Sequence, residues 1–469
     1  MDLRKRAPTG MTAFIIIWIG QILSLLGTAV SQFGLQLWVF DASEGHATPM
    51  TLIGFFFFVP MVAFTPLVGI LVDRTNRKLM MMLSDLAAAL TTLIVLILFT
   101  TGHLQVWHLY LTAFISGTFQ GFQWPAYSAA ISTMLDKKDY TRANAMLDIA
   151  GNSSAVFAPL IAGALLAPLN QWMKQSLPAL AARSSGQPGL TALLVLDLLS
   201  AAFAIGALLF VSIPQPKATQ SARQAEGSFW RQASFGFRYI LSRPSLLGLQ
   251  LVFMVGNFFH SLGSSVHAPM ILARTGSDEL TFASVQTAGA IGGIVGGLVV
   301  GAWGGFRHRV HGVLIGWILG GMAMAATGAL RSLAPWVVVA FAGFMVTPLI
   351  NASNQAIWQA KVPPDIQGRV FATRRLIAWL VSPLSQLAAG PLADYVFEPR
   401  FGGTALQGTL FDTIFGVGAG AGMGLQMAIA GVSAALVGLS GYLFAAVREA
   451  EARLPDHEQS QRAEVEVSA

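Results

Sequence analysis

Carboxylates inside long apolar runs are the residues of this sequence best suited to move a proton. Asp85, Asp148 and Asp197 interrupt runs that otherwise carry almost no charge, and Asp41 ends the first run. A carboxylate at the middle of a bilayer costs about 2.5–3.5 kcal/mol, so each one needs a reason to be there. Asp197, together with His260, is the predicted proton relay; a histidine that is simply hydrogen-bonded is the alternative.

Polar, mostly uncharged side chains recur at helical spacing in four of the apolar runs. Offsets of three, four and seven residues place most of each set on one face of a helix. Such a face avoids lipid, so we expect it to line a water-filled substrate cavity; hydrogen bonding between helices is the alternative. With no arginine deep in these runs, the mixture favours a bulky amphipathic substrate. The predicted cavity residues are Gln21, Ser24, Thr28, Gln32, Gln120, Gln123, Trp124, Tyr127, Asn257, His260, Asn351, Asn354 and Trp358.

Helices that cross a membrane must position these residues. The chain has 469 residues, of which 54% are hydrophobic and 11% charged, whereas soluble domains carry roughly 25% charged residues. Twelve runs reach the roughly 20 apolar residues that span a bilayer, and helices satisfy their own backbone groups there. The sequence therefore predicts an all-α membrane protein. The spans are 11–40, 51–72, 79–100, 106–134, 144–168, 190–213, 246–272, 281–304, 310–330, 335–360, 370–393 and 420–447.

The distribution of basic residues predicts the orientation of the chain. With a cytoplasmic N-terminus and alternating spans, 23 of the 28 Lys and Arg residues lie on the cytoplasmic side. Cytoplasmic loops of membrane proteins carry this excess of positive charge. The first apolar run is too long for the core of a signal peptide, so we expect it to be retained. We therefore expect a protein of the cell inner (plasma) membrane with both termini in the cytoplasm.

A polar stretch at 214–245 divides six spans from six. We predict six-helix bundles at 1–213 and 246–447 and a cytoplasmic tail at 448–469. Aromatic and basic residues alternate in the second part of the stretch, which predicts a helix lying in the membrane interface; a plain linker is the alternative. LLGTAVS (25–31) aligns with SLGSSVH (261–267), a weak internal symmetry of the kind that duplicated transporter halves show.

The connection between spans 2 and 3 is dense in charge. It reads GILVDRTNRK (69–78). Its glycine permits close helix approach, its acid can face a helix N-terminus and its cations can bond C-terminal carbonyls; a basic loop with an incidental acid is the alternative. The stretch resembles the G-x-L-a-D-r-x-G-r-r signature of the major facilitator superfamily, with Asn76 at the second glycine.

The resemblance implies two pseudo-symmetric six-helix bundles that rock about a cytoplasmic latch. Asp85 and Asp148 lie near the basic residues of this side in the predicted topology, which favours a structural ion network. The predicted latch consists of Gly69, Asp73, Arg74, Arg77, Lys78, Asp85, Arg142 and Asp148.

Longer stretches are similar to the macrolide-efflux branch of the superfamily. They are FIIIWIGQILSLLGTAVSQFGLQLWVF (14–40), FQWPAYSAAISTMLDKKDYTRANAM (122–146) and LAAGPLADYVFEPRFGG (387–403). Siderophore-exporter and lysophospholipid-transporter branches are related. Span 4 lacks the arginine that drug antiporters often carry before Gln120-Gly121, and the span 5 antiporter motif keeps only Pro159 and Gly163. These two residues imply a kinked, closely packed hinge helix.

Several functional classes are not expected. The chain has no cysteine, which excludes disulfides and thiolate chemistry. No P-loop motif appears, so ATP is not the expected energy source, and no nucleophile motif or acid–base pair indicates an enzyme. The basic residues are explained by topology rather than by nucleic acid. We expect no metal or other cofactor, and a protein that acts as a monomer.

The sequence therefore predicts a secondary transporter that exports amphipathic small molecules, such as macrolide-like drugs or secondary metabolites, by alternating access coupled to protons. Two other hypotheses remain open. One is a siderophore exporter or lysophospholipid flippase, and the other is a transporter-like membrane sensor or scaffold that moves no substrate.

Overall fold

The computed structural model describes residues 8–74, 76–135, 139–184, 187–213, 229–363 and 366–453. Within these ranges, side chains are not described at 65–74, 124–126, 128–129, 131–133, 140–142, 144–145, 147–150, 152, 180, 229–234, 368 and 404. The described part consists of helices and their connections, without strands.

Twelve long helices account for the predicted spans, and they are numbered in chain order. They are α1 Gly10–Ala42, α2 Ala47–Arg74, α3 Arg77–Thr100, α4 Val106–Met134, α5 Tyr140–Ser176, α6 Gly189–Phe210, α7 Pro244–Ser264, α8 Glu279–Trp303, α9 Arg309–Ala329, α10 Leu333–Lys361, α11 Gln367–Leu392 and α12 Ala421–Leu443. Eleven helices in the described part are long and apolar enough to cross a membrane. The helix α4, with 29 residues, occupies the remaining predicted span. The prediction of an all-α membrane protein is confirmed.

Shorter helices connect the long ones. Phe229–Leu241 is helical within the predicted linker, while its position in the membrane interface stays a prediction. His267–Thr275 follows α7, and a π-helix at Ala393–Phe397 follows α11. The carboxylate of Glu398 then accepts hydrogen bonds from the backbone nitrogens of Gly420 and Met423. These two hydrogen bonds satisfy N–H groups at the start of α12.

Contacts divide the chain into two units. Unit 1 comprises Met1–Lys217 and Ile271–Thr287, and unit 2 comprises Ala218–Met270 and Ala288–Ala469. Within unit 1, the ring of Phe282 stacks on that of Phe33 with centroids 5.1 Å apart. Ser277 Oγ donates to Asp41 Oδ1 over 2.9 Å. Side chains of α1 thus hold the segment Ile271–Thr287, and the six-plus-six division at 214–245 stays a prediction.

In unit 1, three glycines let α1 lie directly against α6. They follow one another at intervals of seven residues, which is close to two helical turns. A methyl group at Gly20 would come within 3.1 Å of Ala204, and one at Gly27 would collide with the hydroxyl of Ser200. A methyl group at Gly34 would come within 2.8 Å of a leucine methyl. Small residues at such a contact allow close backbone approach, and here they bring the hydroxyls of α1 to a carboxylate of α6.

In unit 2, a similar contact joins α9 and α12. A methyl group at Gly321 would meet backbone atoms of Gly431 and Ala435 at 2.5 Å.

Trp336 and Trp358 are both completely buried. The indole nitrogen of Trp336 donates to the carbonyl of Thr327 over 3.1 Å, so this buried polar group is satisfied.

Candidate functional site

The carboxylate of Asp197 lies in a cage of three hydroxyl groups in unit 1. The side chain is 3% exposed and projects from α6. Thr28 Oγ1 donates to Oδ1 over 2.8 Å. Ser31 Oγ and Thr92 Oγ1 donate to Oδ2 over 2.8 and 2.9 Å. Helices α1, α3 and α6 therefore meet on one buried carboxylate, and Thr28, Ser31 and Thr92 form what we term the hydroxyl cage.

The hydroxyl cage can satisfy Asp197 in two protonation states. A hydroxyl group both donates and accepts hydrogen bonds, and its hydrogen turns freely. Ser31 Oγ also lies 3.0 Å from the carbonyl of Thr28, so its hydrogen has a second acceptor. When the carboxyl group binds a proton, its own O–H can donate to a hydroxyl that has turned away. Binding and release of a proton need no movement of heavy atoms.

Asp85, a second buried carboxylate in unit 1, is bonded by two amides. Gln21 Nε2 donates to Oδ2 and Gln123 Nε2 to Oδ1, each over 2.8 Å. Gln123 Nε2 also donates to Gln21 Oε1 over 3.1 Å. An amide nitrogen donates but does not accept, so a protonated Asp85 would face N–H groups until one amide turned over. The arrangement suits the ionised carboxylate, and we term Gln21 and Gln123 the amide pair.

Ten of the thirteen predicted cavity residues fall into two groups. One group is bonded within its own unit: Gln21, Thr28, Gln123, Asn257, Asn354 and Trp358. The second group is exposed and forms no hydrogen bond with any described residue: Gln32, Gln120, His260 and Asn351. Exposure of a polar side chain within a membrane span is energetically unfavourable when the side chain faces lipid and favourable when it faces water. The exposure of the second group is consistent with a water-filled cavity, and this cavity stays a prediction.

The remaining cavity residues are less informative. Ser24 is half-buried. Tyr127 is 6% exposed, and its hydroxyl has no hydrogen-bond partner among the described residues. The side chain of Trp124 lies outside the described ones. Tyr127 is therefore a buried donor that a moving neighbour or a bound molecule could satisfy.

The predicted relay partner His260 lies in unit 2. Its ring packs edge-on to that of Trp317, with centroids 6.5 Å apart. One turn earlier on α7, Asn257 Nδ2 donates to the carbonyl of Ala378 over 3.2 Å. Asp197 belongs to unit 1, so a relay between Asp197 and His260 stays a prediction.

The predicted latch is described only in part. The side chains of Gly69, Asp73, Arg74, Arg142 and Asp148 lie outside the described ones, and Arg77 begins α3. Lys78 Nζ donates to the carbonyls of Leu209 and Val211 over 3.1 and 2.7 Å. A cation thus bonds the free carbonyls at the C-terminal end of α6, as helix dipoles favour. Asp85, expected in an ion network, is bonded by the amide pair.

The predicted hinge residues lie inside α5. Pro159 and Gly163 are both buried in this helix, which runs from Tyr140 to Ser176. A methyl group at Gly163 would come within 2.7 Å of the Cβ of Ala283 at the start of α8. Thr287 Oγ1 also donates to the carbonyl of Val156 over 3.4 Å. Gly163 therefore permits a close helix contact within unit 1, and a hinge at this position stays a prediction.

The sequence prediction missed Arg374, which it counted among the cytoplasmic loop cations. The residue lies inside α11, within a stretch from Arg369 to Phe401 that is apolar enough to span a membrane. Its guanidinium carbon is 5.2 Å from the ring centroid of Trp358 and 5.8 Å from that of Phe371. Such cation–π contacts contribute about 0.5–2 kcal/mol. The sequence signal for this contact is the spacing of Phe371 and Arg374, which lie three positions apart and therefore on the same face of a helix.

Comparison with known proteins places the chain in a family. The family model described as "Major Facilitator Superfamily" matches residues 17–386. "Macrolide efflux protein A" of Streptococcus pyogenes is 23% identical over 385 residues, which are 82% of this chain and 90% of that protein. "Multidrug efflux pump Tap" of Mycolicibacterium fortuitum is 26% identical over 408 residues, which are 84% of this chain and 91% of that protein.

Solved structures agree on the fold. A bacterial homologue of the human lysosomal transporter Spinster superposes with a TM-score of 0.66 at 15% identity, covering 91% of this chain and 94% of that one. A POT family transporter in complex with 5-aminolevulinic acid superposes with a TM-score of 0.65 at 10% identity, covering 95% and 99%. From the family match, the relatives and the twelve-helix fold, we conclude that this chain belongs to the Major Facilitator Superfamily and is a multi-pass membrane transporter.

Proposed function

We propose that this transporter exports amphipathic small molecules by alternating access, and that protons bound at Asp197 drive the export. The observation that carries the proposal is the hydroxyl cage, which satisfies a buried carboxyl group with or without its proton. The efflux relatives support the outward direction. Macrolide-like drugs and secondary metabolites are the first substrates to test.

One proton for each exported molecule supplies enough free energy for this function. A proton that enters down a potential of 100 mV releases about 2.3 kcal/mol. At about 1.4 kcal/mol for each factor of ten, this allows roughly fifty-fold accumulation of a neutral substrate outside. Proton-coupled export therefore needs no second carboxylate.

The remaining proposals concern the substrate path, the cytoplasmic side and the oligomeric state. Gln32, Gln120, His260 and Asn351 would line the substrate path, because they are exposed polar groups on spanning helices. The charged loop at 69–78 would close the cytoplasmic side. The protein would lie in the cell inner membrane, with both termini on the cytoplasmic side. The protein would act as a monomer.

Everted vesicles test the coupling. Vesicles that contain the full chain are given radiolabelled erythromycin and an imposed proton gradient, with and without an uncoupler. We expect uptake that the uncoupler abolishes, and loss of this gradient-driven component in Asp197→Asn. Asp85→Asn is the matched control, because it neutralises an equally buried carboxylate in the same unit. Uptake in Asp197→Asn that still follows the gradient would refute the role of Asp197.

The same vesicles separate the rival hypotheses. Lipid movement that ignores the uncoupler would favour a lysophospholipid flippase, and gradient-driven movement of an iron-chelating metabolite alone would favour a siderophore exporter. Wild-type vesicles that move no substrate under any gradient would favour a sensor or scaffold and overturn the proposal.

A further inference from the structure

Arg374 is a half-buried cation whose described partners include no carboxylate. Its Nη1 donates to Gln355 Oε1 over 3.0 Å, and the planar group lies near the rings of Trp358 and Phe371. An arginine inside a spanning segment is costly when no counter-charge accompanies it. The nearest neighbour in sequence, Arg375, adds a second positive charge. Among the side chains that the structure describes, no carboxylate balances the charge of Arg374.

The surrounding residues hold Arg374 in place. Trp358 is completely buried, and its indole nitrogen donates to Asn354 Oδ1 over 3.1 Å. The backbone carbonyl of Arg374 accepts a hydrogen bond from Gln250 Nε2 over 3.1 Å. Helices α7, α10 and α11 thus fix both the backbone and the aromatic neighbour of this arginine. Support of this kind is typical of a prearranged binding group rather than of a mobile surface side chain.

The part of the guanidinium that forms no hydrogen bond with a described residue has a definite chemical preference. Arginine carries five N–H donors in a planar fork, and one nitrogen here is bonded to Gln355. The rest of the fork matches two oxygens of a carboxylate, phosphate or sulfate group, which it binds through paired hydrogen bonds. A neutral or cationic ligand would leave the charge unbalanced. An oxyanion is therefore the ligand that the position fits.

We propose that Arg374 is the centre of a binding site for the oxyanion group of an amphipathic molecule. The site consists of Arg374, Gln355, Trp358 and Phe371, and we term it the Arg374 site. The proposal rests on the proposed transport function only for the role of the ligand as cargo, and it narrows the substrate class from amphipathic molecules to amphipathic oxyanions. The oxyanion could come from a free substrate or from an anionic lipid headgroup.

A matched pair of probes tests the site by equilibrium binding. The full chain is placed in nanodiscs of phosphatidylcholine, and the fluorescence of dansylated undecanoic acid is compared with that of its methyl ester, with empty discs subtracted. We expect the acid to bind at least about ten-fold more tightly than the ester, as expected for one paired charge interaction. Arg374→Gln removes this preference and Arg374→Lys keeps part of it. Arg375→Gln, a change at an exposed neighbour, leaves it intact.

The outcomes separate the sources of the oxyanion. If discs with one third phosphatidylglycerol abolish the preference for the acid, lipid headgroups occupy the site; if the preference persists, the ligand is a free amphipathic anion. Equal binding of acid and ester by the wild type, or an unchanged preference in a folded Arg374→Gln protein, would overturn the proposal. Because no proton gradient is applied, this failure is distinct from a failure of coupling at Asp197.

Discussion

Asp85 and Asp197 form two polar layers in the same unit. The two carboxylates are equally buried but accept hydrogen bonds from different kinds of donor, so burial alone does not indicate which of them could exchange a proton. Each carboxylate is 3% exposed. Helix α1 supplies Gln21 to one layer and Thr28 to the other, and α3 supplies Asp85 and Thr92. Each pair is separated by seven residues, or about 10 Å along the helix. The layers differ in the chemistry of their donors.

The amide layer favours one charge state and the hydroxyl layer allows two. Amide nitrogens donate only, whereas hydroxyl groups donate or accept as needed. Leaving a buried donor unsatisfied costs about 1–3 kcal/mol, so protonation of Asp85 requires that an amide turn over. Protonation of Asp197 requires only that a hydroxyl hydrogen turn. This difference supports our proposal that Asp197 carries the proton, and we propose that Asp85 holds helices together.

Neutralising each carboxylate in turn has the largest expected effect. Asp197→Asn should lower gradient-driven export to the level that remains with the uncoupler, because asparagine has no carboxyl group to bind the driving proton. Asp85→Asn should leave the dependence on the gradient intact and instead lower the free energy of unfolding by about 1–3 kcal/mol. Export assays and chemical unfolding measure the two quantities. Equal loss of coupling in both variants would remove the distinction between the layers.

Removing one hydroxyl of the cage should have the next largest effect. Thr92→Val keeps the shape of the side chain and deletes a hydrogen bond to a charged group, which contributes about 1.5–3 kcal/mol. We expect weaker gradient-driven export and a lower free energy of unfolding. Thr92→Ser restores the hydroxyl and is the matched control. A valine variant that behaves like the serine variant would show that the hydroxyl has no role.

Separating α1 from α6 should open the hydroxyl cage. A methyl group at Gly27 would collide with Ser200 Oγ, whereas one at Gly206 meets no atom within 4 Å. We therefore expect Gly27→Ala to lower the free energy of unfolding by about 1–3 kcal/mol through overpacking and to reduce coupling as well. Gly206→Ala, on a membrane-spanning helix of the same unit, should change neither quantity. If the two variants have the same free energy of unfolding, the close contact between α1 and α6 at Gly27 does not stabilise the fold as we expect.

The sequence predicted the helices well, because apolar length determines them, and helical spacing assigned the polar side chains to faces of those helices. The seven-residue interval predicted that Gln21 and Thr28 share one face of α1. Spacing defines a face but not the partner of that face, so the side chains assigned to the cavity include six that bond within their units. Arg374 was missed because its neighbour Trp358 is 16 positions away on another helix.

An exposed carboxylate provides the smallest effect and a contrast in pH dependence. Asp278 lies outside the spanning helices, and the hydroxyl of Thr281, over 2.5 Å, with the N–H groups of Leu280 and Thr281, lowers the pKa of its carboxyl group. Because the folded-state pKa lies below the unfolded value of about 4, the stabilisation is present above that pH and is lost as pH falls through the folded pKa. Asp278→Ala should cost about 0.5–2 kcal/mol at neutral pH.

Asp278→Asn is the control for this pH dependence, because asparagine also caps a helix but does not titrate. The difference in the free energy of unfolding between aspartate and asparagine should shrink when unfolding is followed below a pH of about 4. A difference that stays constant over that range would mean that Asp278 makes no titrating contribution to the fold.

The protonation state of Asp197 can be observed directly by infrared spectroscopy of the reconstituted protein. A protonated carboxyl group gives a C=O band that is absent from the carboxylate. We expect a titrating band over the pH range in which export responds to the gradient, lost in Asp197→Asn and retained in Asp85→Asn. A band that persists in Asp197→Asn, or that disappears only in Asp85→Asn, would contradict the assignment of the proton to the hydroxyl cage.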